Sequence, residues 1–169
     1  MILSGSETAS RQYKKRIIRW LLVLLAMAGI YFLSSQTAPE SNALSGKTIR
    51  ALLLLFRHDF PALSLTEQKL IISSLQSVIR DAAHILVYLL LGILCMLALL
   101  AHDGKMKNRI LMTLVIGTVY AFLDELHQYF VSGRAFEFYD IILDCSGLLL
   151  GIMMVTGTLW FRARKKRSL

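Results

Sequence analysis

The sequence predicts an all-α integral membrane protein: four transmembrane helices with both termini cytoplasmic, plus two external amphipathic helices between spans one and two. Three observations carry that prediction. Of 169 residues, 56% are hydrophobic and only 18% charged, with two prolines and a mean hydropathy of +0.58, a composition that leaves no separate soluble domain. Four apolar runs each come close to the roughly 20 residues an α-helix needs to cross the hydrocarbon. Thirteen of the nineteen bases flank those runs on one side, which the positive-inside rule makes cytoplasmic. The chain therefore reads as a single domain over 1–169, multi-pass in the cell membrane.

The first span covers about 16–35, nearly all apolar from Ile17 to Leu33, with Arg11, Lys14, Lys15, Arg16 and Arg19 at its start. It is read as an anchor, because no small-residue cleavage site closes the run. The second span covers about 82–101, the third 110–130 and the fourth 141–161. Lys105, Lys107 and Arg109 lie between spans two and three, and Arg162, Arg164, Lys165, Lys166 and Arg167 follow span four.

The segment 36–80 is then external, and too apolar for a free loop. Ile49, Leu52, Leu53 and Phe56 recur at helical spacing with Lys47, Arg50 and Arg57 mostly opposite them, the pattern of a helix lying on a membrane surface. Pro61 interrupts it, and Ser64-Leu65-Thr66-Glu67 fits a capping box opening a second helix. That helix carries Ile71, Leu75, Val78 and Ala82 on one stripe and is placed to run into span two. Two roles stay open for the pair: a lid over the bundle, or contact with lipid. His58 is read as a solvated surface residue and His102, in the short turn HDGK, as without a role.

The net charge of +8 does not point to nucleic acid, because the bases sit in short flanks of apolar runs and form no folded basic face. Cys95 and Cys145 lie inside apolar segments without metal-ligand spacing and read as small core hydrophobes.

The most informative stretch runs from Asp124 to Asp144 and sets Asp124, Glu125, His127, Arg134, Asp140 and Asp144 beside or inside membrane spans. An ionisable group at mid-bilayer costs roughly 2.5–3.5 kcal/mol or more, so such groups mark function or a mutually satisfied network. Asp81 and His84 fall at the outer end of span two, Asp124, Glu125, His127 and Gln128 at that of span three, and Asp140 and Asp144 at that of span four. Asp81, His84, Tyr88, Gly92 and Cys95 follow steps of three or four, as do Gly117, Ala121, Asp124 and Gln128, and Asp140, Asp144, Gly147 and Gly151. Each helix thus has a face that is small at one end and polar at the other. The expected bundle is tightly packed below, through contacts such as Gly147-x-x-x-Gly151, and opens above into a polar pocket.

On these residues the chain resembles the VanZ-like family of small membrane proteins, named for a protein associated with resistance to the glycopeptide teicoplanin. The likeness covers most of the chain and rests on Ser34-Ser35-Gln36, on His84 and Tyr88, and above all on Asp124-Glu125 with Gln128, Gly133-Arg134, Asp140, Gly147 and Gly151. Many relatives have asparagine at the position of Asp144 and proline at that of Ser132. The resemblance implies a cell-envelope context and names no reaction.

Several chemistries fit these residues. Arg134 suits an anion, because its planar guanidinium forks onto carboxylate or phosphate, or it pairs internally with Glu125, Asp140 or Asp144. Asp124 and Glu125 are adjacent, so at most one is expected to share the stripe of Gln128. His84 is expected to face the pocket or to bond Asp124 or a backbone carbonyl. His84 and His127 together with Asp124, Glu125 and Asp140 could form a metal site, since imidazole and carboxylate suit zinc or manganese, yet no HExxH or comparable ligand pair is present, so neither a metal nor another cofactor is expected.

Three functional classes follow. As a binding module, the pocket takes the head group of a lipid-linked envelope component through Arg134, Gln128, His127, Tyr88, Asp140 and Asp144, and influences susceptibility to lipophilic glycopeptides such as teicoplanin. As an enzyme, a hydrolase or transferase acts on that head group with Glu125, Asp124 and His84 as catalytic residues. As a structural protein, the network only fixes helix register, and the expected partners are a second copy or another membrane protein. A transporter is disfavoured, because no inverted repeat or broken-helix pair is visible.

Overall fold

The computed structural model describes residues 3–167, with side chains from residue 10 onward, so the extreme termini of the 1–169 domain lie outside the described residues. Five helices follow in chain order: α1 (Leu3–Ser34), α2 (Ala38–Phe56), α3 (Leu65–Leu99), α4 (Met106–Tyr129) and α5 (Phe138–Arg167), with a 3₁₀ turn at Phe60–Ala62. The described residues contain no strand. Helices α1, α3, α4 and α5 are long and apolar enough to cross a membrane, and each contains one of the four expected spans except for Ser35, Leu100, Ala101 and Phe130, which fall just past their helix ends. The helices outrun the spans because hydropathy ends at the first charges, whereas Lys and Arg are good helix formers that carry α1 and α5 through their basic flanks.

The segment between α1 and α3 owes its shape to two caps. Ser64 Oγ accepts from the Glu67 amide at 3.3 Å while Glu67 Oε2 accepts from the Ser64 amide at 2.9 Å, the capping box expected from sequence. Thr37 opens α2 in a similar way, with its amide donating to Glu40 Oε2 at 2.9 Å, and these bonds hold the Glu40 carboxyl below its ordinary range. From Ser64 the chain runs without a break through the 35 residues of α3, about 52 Å of helix, well beyond the ~30 Å hydrocarbon thickness.

Helix α2 leans on the first half of α3, where Gln76 Nε2 donates to the Asn42 carbonyl at 3.0 Å. Of the apolar stripe read from sequence, Ile49 is buried and Leu53 half-buried, while Leu52 is exposed and Phe56 is 76% exposed. One edge of α2 therefore covers the bundle while Leu54, Leu55 and Phe56 keep an apolar surface free.

The α3–α5 pairing is the most extensive in the bundle, and glycines make it possible. A Cβ on Gly147 would run into the Ile85 carbonyl, one on Gly151 into the Leu89 carbonyl, and one on Gly92 would sit 2.7 Å from the Leu148 carbonyl. Leu148 fills the space left by Gly117 on α4. The small-residue faces thus meet as the sequence predicts. A neighbouring core joins Val23 and Ile30 of α1 to Tyr88, Leu91, Cys95 and Ala98 of α3 and Ala121 of α4.

At the far end, basic residues close the bundle. Arg16 Nε donates to the Ala101 carbonyl at 2.7 Å, Arg19 to that of Leu97 at 2.9 Å, and Arg109 to that of His102 at 2.6 Å. These bonds satisfy carbonyls at and just beyond the C-terminus of α3, where cations are favoured. His102 is not idle as expected: its Nε2 accepts from Trp20 Nε1 at 3.1 Å and ties α1 to the turn.

Candidate functional site

The opposite end gathers polar side chains from every long helix. Helix α3 brings Arg80, His84 and Tyr88 on successive turns of one face, because steps of four return to the same side. Helix α4 brings Asp124, Glu125 and Gln128, α5 brings Asp140 and Asp144, and α1 ends there with Ser34. The connection between α4 and α5 turns at Gly133, whose φ of +76° suits glycine, and so positions Arg134. The Ser132 carbonyl just before it accepts from the Ala38 amide at 3.3 Å and fastens α2 to this loop.

The acids are deeply buried: relative exposure is 0% for Glu125 and Asp144 and 4% for Asp124 and Asp140, with Gln128 at 2%. His84 Nδ1 lies 2.9 Å from Asp144 Oδ1, and its Nε2 lies 3.6 Å from Asp140 Oδ2. Hydrogen bonding of His84 to Asp124 or a backbone carbonyl, the structural alternative read from sequence, is therefore replaced by carboxylates of α5. Asp124 Oδ2 accepts from Ser34 Oγ at 2.8 Å and from Gln128 Nε2 at 3.4 Å. Glu125 Oε1 accepts from Gln128 Nε2 at 3.0 Å and Oε2 from the Glu137 amide at 3.0 Å. Gln128 thus reaches both adjacent acids, contrary to the expectation that only one would share its stripe. The two acids are three and four residues away, and both spacings are neighbours on a helix.

The internal salt bridge considered for Arg134 is not formed. Among the described residues neither Arg134 nor Arg80 makes an ion pair, and the Nε of each is buried without a hydrogen-bond partner. The Tyr88 hydroxyl, Asp140 Oδ1 and Asp144 Oδ2 are likewise buried without one. Polar groups left unmatched in a dry interior cost free energy, and all of these residues except Asp144 line one or both of two cavities.

One cavity, of about 200 Å³, runs between α1, α2 and α3 and is walled largely by apolar side chains such as Ile30, Leu33, Leu44, Ile79 and Val87. The other, of about 260 Å³, is polar and includes Asn42, Glu137 and Asp140 in its wall. Both are lined by Ser41, Arg80, Gln128 and Arg134. The two guanidiniums therefore stand where apolar and polar space meet, and they suit an anion through forked hydrogen bonds. Separately, His84, Glu125 and Asp140 each offer a ligand atom within 4.8 Å of the others, a geometry that can hold a metal ion. The sequence reading that expected none relied on ligand spacing along one helix, whereas these donors come from three.

Of the residues singled out from sequence, His84, Tyr88, Asp124, Glu125, Gln128, Arg134, Asp140 and Asp144 line or adjoin this region. His127 does not join it: its Nε2 lies 3.0 Å from Ser35 Oγ and its ring 4.6 Å from that of Tyr31, on the α1–α4 contact. Asp81 shares the helical step but is only half-buried and makes none of these bonds. Arg80 escaped the sequence reading, although its place one turn before His84 on the same stripe marks it. Ser34 entered only through the Ser34-Ser35-Gln36 stretch of the family likeness, and Asn42 and the Glu137 amide carried no signal, since their roles depend on how the helices meet.

Comparison with curated proteins and with solved structures gives no significant match. The family model described as VanZ/LLP1 matches residues 19–161, most of the chain and all of the site just described, and the protein belongs to that family.

Proposed function

We propose that the protein is a cell-envelope binding module that holds the anionic head group of a lipid-linked envelope component in the polar cavity while its hydrocarbon lies along the apolar one. The positive-inside rule applied to the bases at the basic end supports a reading with both termini in the cytoplasm, in which the pocket faces outward and α2 lies on the outer surface. By engaging such a lipid there, the protein influences susceptibility to lipophilic glycopeptides such as teicoplanin.

One observation carries this reading: Arg80 and Arg134 are two guanidiniums without carboxylate partners at the junction of an apolar and a polar cavity. Both side chains are half-buried with an unmatched buried Nε, and a phosphate-bearing head group supplies a counter-charge with matching geometry. Gentle extraction of the full chain followed by lipid mass spectrometry tests it. The expected result is a defined anionic lipid that is lost in Arg80→Ala and Arg134→Ala. Recovery of bulk lipid alone, at equal occupancy in all three proteins, overturns it.

A second reading has one specific support. The Asp144 contact to His84 Nδ1 leaves Nε2 turned toward the buried acids, the arrangement of a base and its orienting group. An enzyme of this kind would hydrolyse or transfer the head group with Glu125, Asp124 and His84. It requires turnover of an envelope lipid that disappears in Glu125→Gln and His84→Ala.

A further inference from the structure

We infer that His84, Glu125 and Asp140 form a binding site for one divalent transition-metal cation, with Asp144 as the residue that orients the histidine. The inference stands on the donor geometry and does not depend on the lipid reading.

The histidine contacts define the site. With the Nδ1 proton donated to Asp144 Oδ1 at 2.9 Å, the lone pair of Nε2 points toward Asp140 Oδ2 at 3.6 Å. Two acceptors facing each other in a buried space repel unless a proton or a metal cation lies between them, and the same gap serves either. Metal bonds of about 2.1 Å at tetrahedral angles put neighbouring ligand atoms about 3.4 Å apart, close to the separation found. Glu125 completes the face, with all three donor atoms within 4.8 Å of one another. Drawing the widest of these separations to coordination distance takes a side-chain shift of about 1 Å.

Two features separate this cluster from a chance gathering of acids. Asp140 is buried yet its second oxygen, Oδ1, has no hydrogen-bond partner, and the same holds for Oδ2 of Asp144. The surrounding bonds also have the form that metal sites use, in which the second nitrogen of a ligating histidine donates to a carboxylate and the ligating acids are themselves held. Asp144 takes the first role, while the Gln128 side chain and the Glu137 amide hold the two oxygens of Glu125. One imidazole and two carboxylates suit manganese or zinc.

The test uses the full chain in detergent, stripped with chelator and titrated with manganese chloride in the absence of added lipid, with free manganese followed by electron paramagnetic resonance. Wild type is expected to take up one manganese per chain, and Asp140→Asn and Glu125→Gln to bind at least about 10-fold more weakly. Asp144→Asn keeps the hydrogen bond but loses the carboxylate charge that raises the basicity of the histidine ligand, and should weaken binding by about 10-fold or more. Pulsed resonance on the loaded wild type should show nitrogen coupling that disappears in His84→Gln. Absence of stoichiometric uptake by wild type overturns the inference, as does equal affinity in the carboxylate variants. If a variant fails to fold, the wild-type nitrogen coupling decides: its absence overturns the site. Because no lipid is present, failure here leaves the lipid-binding reading standing, and failure of lipid retention leaves this one standing.

Discussion

His84 and Asp144 join α3 to α5 through a 2.9 Å contact between Nδ1 and Oδ1, and the acid in this pair is fully buried. An asparagine carbonyl can accept the same hydrogen bond without a charge. Asp144→Asn is therefore expected to fold and to lose no more than about 1 kcal/mol, the net worth of an ordinary hydrogen bond. Asp144→Leu removes the acceptor and leaves the histidine and its neighbours unmatched, an expected loss of about 3–5 kcal/mol. Thermal unfolding of the two variants in detergent checks the difference, and equal melting would show that the contact does not hold the helices together.

The glycine face offers a sharper contrast. In Gly147→Ala and Gly151→Ala the new methyl would meet backbone of α3, at Ile85 and Leu89, which cannot rotate away. The helices must separate, at an expected cost of about 1–3 kcal/mol or more. Gly157→Ala on the same helix meets nothing within 4 Å, and alanine is the better helix former by roughly 1 kcal/mol. Melting temperature should fall for the first two and stay or rise for the third.

Gly147 and Gly151 also show what the sequence makes legible. Steps of three and four fix which residues share a helix face, so small faces and polar ends could be read directly, as could the Ser64 capping box. Pairwise partners could not. Periodicity says that His84 faces inward, but the choice of Asp144 over Asp124 depends on the rotation of α5 against α3. Arg80 was missed for a related reason: the stripe was started at Asp81, three residues before His84, whereas the face that lines the cavities runs Arg80, His84 and Tyr88 in steps of four. The metal-capable trio was legible only inside the larger set of His84 and His127 with Asp124, Glu125 and Asp140; which three meet could not be read, because they lie on three helices and no linear spacing records them.

Arg80 and Arg134 should behave unlike the acids when removed. Among the described residues neither has an ion-pair partner, so Arg80→Ala and Arg134→Ala are expected to leave thermal stability unchanged or to raise it, as happens where residues are held for function. Asp124→Ala takes away the acceptor of both Ser34 and Gln128 and is expected to cost about 1–3 kcal/mol in unsatisfied buried donors. A large drop in both arginine variants would instead assign them to the static network.

Gly133 tests how Arg134 is aimed. At φ +76° an alanine enters the left-handed region, which costs about 1–2 kcal/mol for a residue with a Cβ. That Cβ would also lie 3.0 Å from the Ala38 methyl at the start of α2. Gly133→Ala is expected to lower the melting temperature modestly and to loosen α2 from the loop. Faster amide hydrogen exchange at the start of α2, with the α3–α5 core unchanged, is the signature to measure.

Orientation can be decided with single cysteines. Ser73 is exposed on the first half of α3, and Asn108 is exposed near the start of α4, after the turn that follows α3. Cys95 and Cys145 are both free thiols within the helices, so the background chain has both replaced by alanine. With the termini inside, a membrane-impermeant maleimide added to intact cells should label Ser73→Cys and spare Asn108→Cys until the membrane is opened. This follows from charge, since three bases fall within the short stretch 102–109 while the long connection 36–80 spreads five over its length, and dense basic flanks resist crossing. The reverse labelling pattern would turn the cavity toward the cytoplasm, where an extracellular glycopeptide has no access to it, and would remove the proposed link to glycopeptide susceptibility while leaving the anion and metal sites intact.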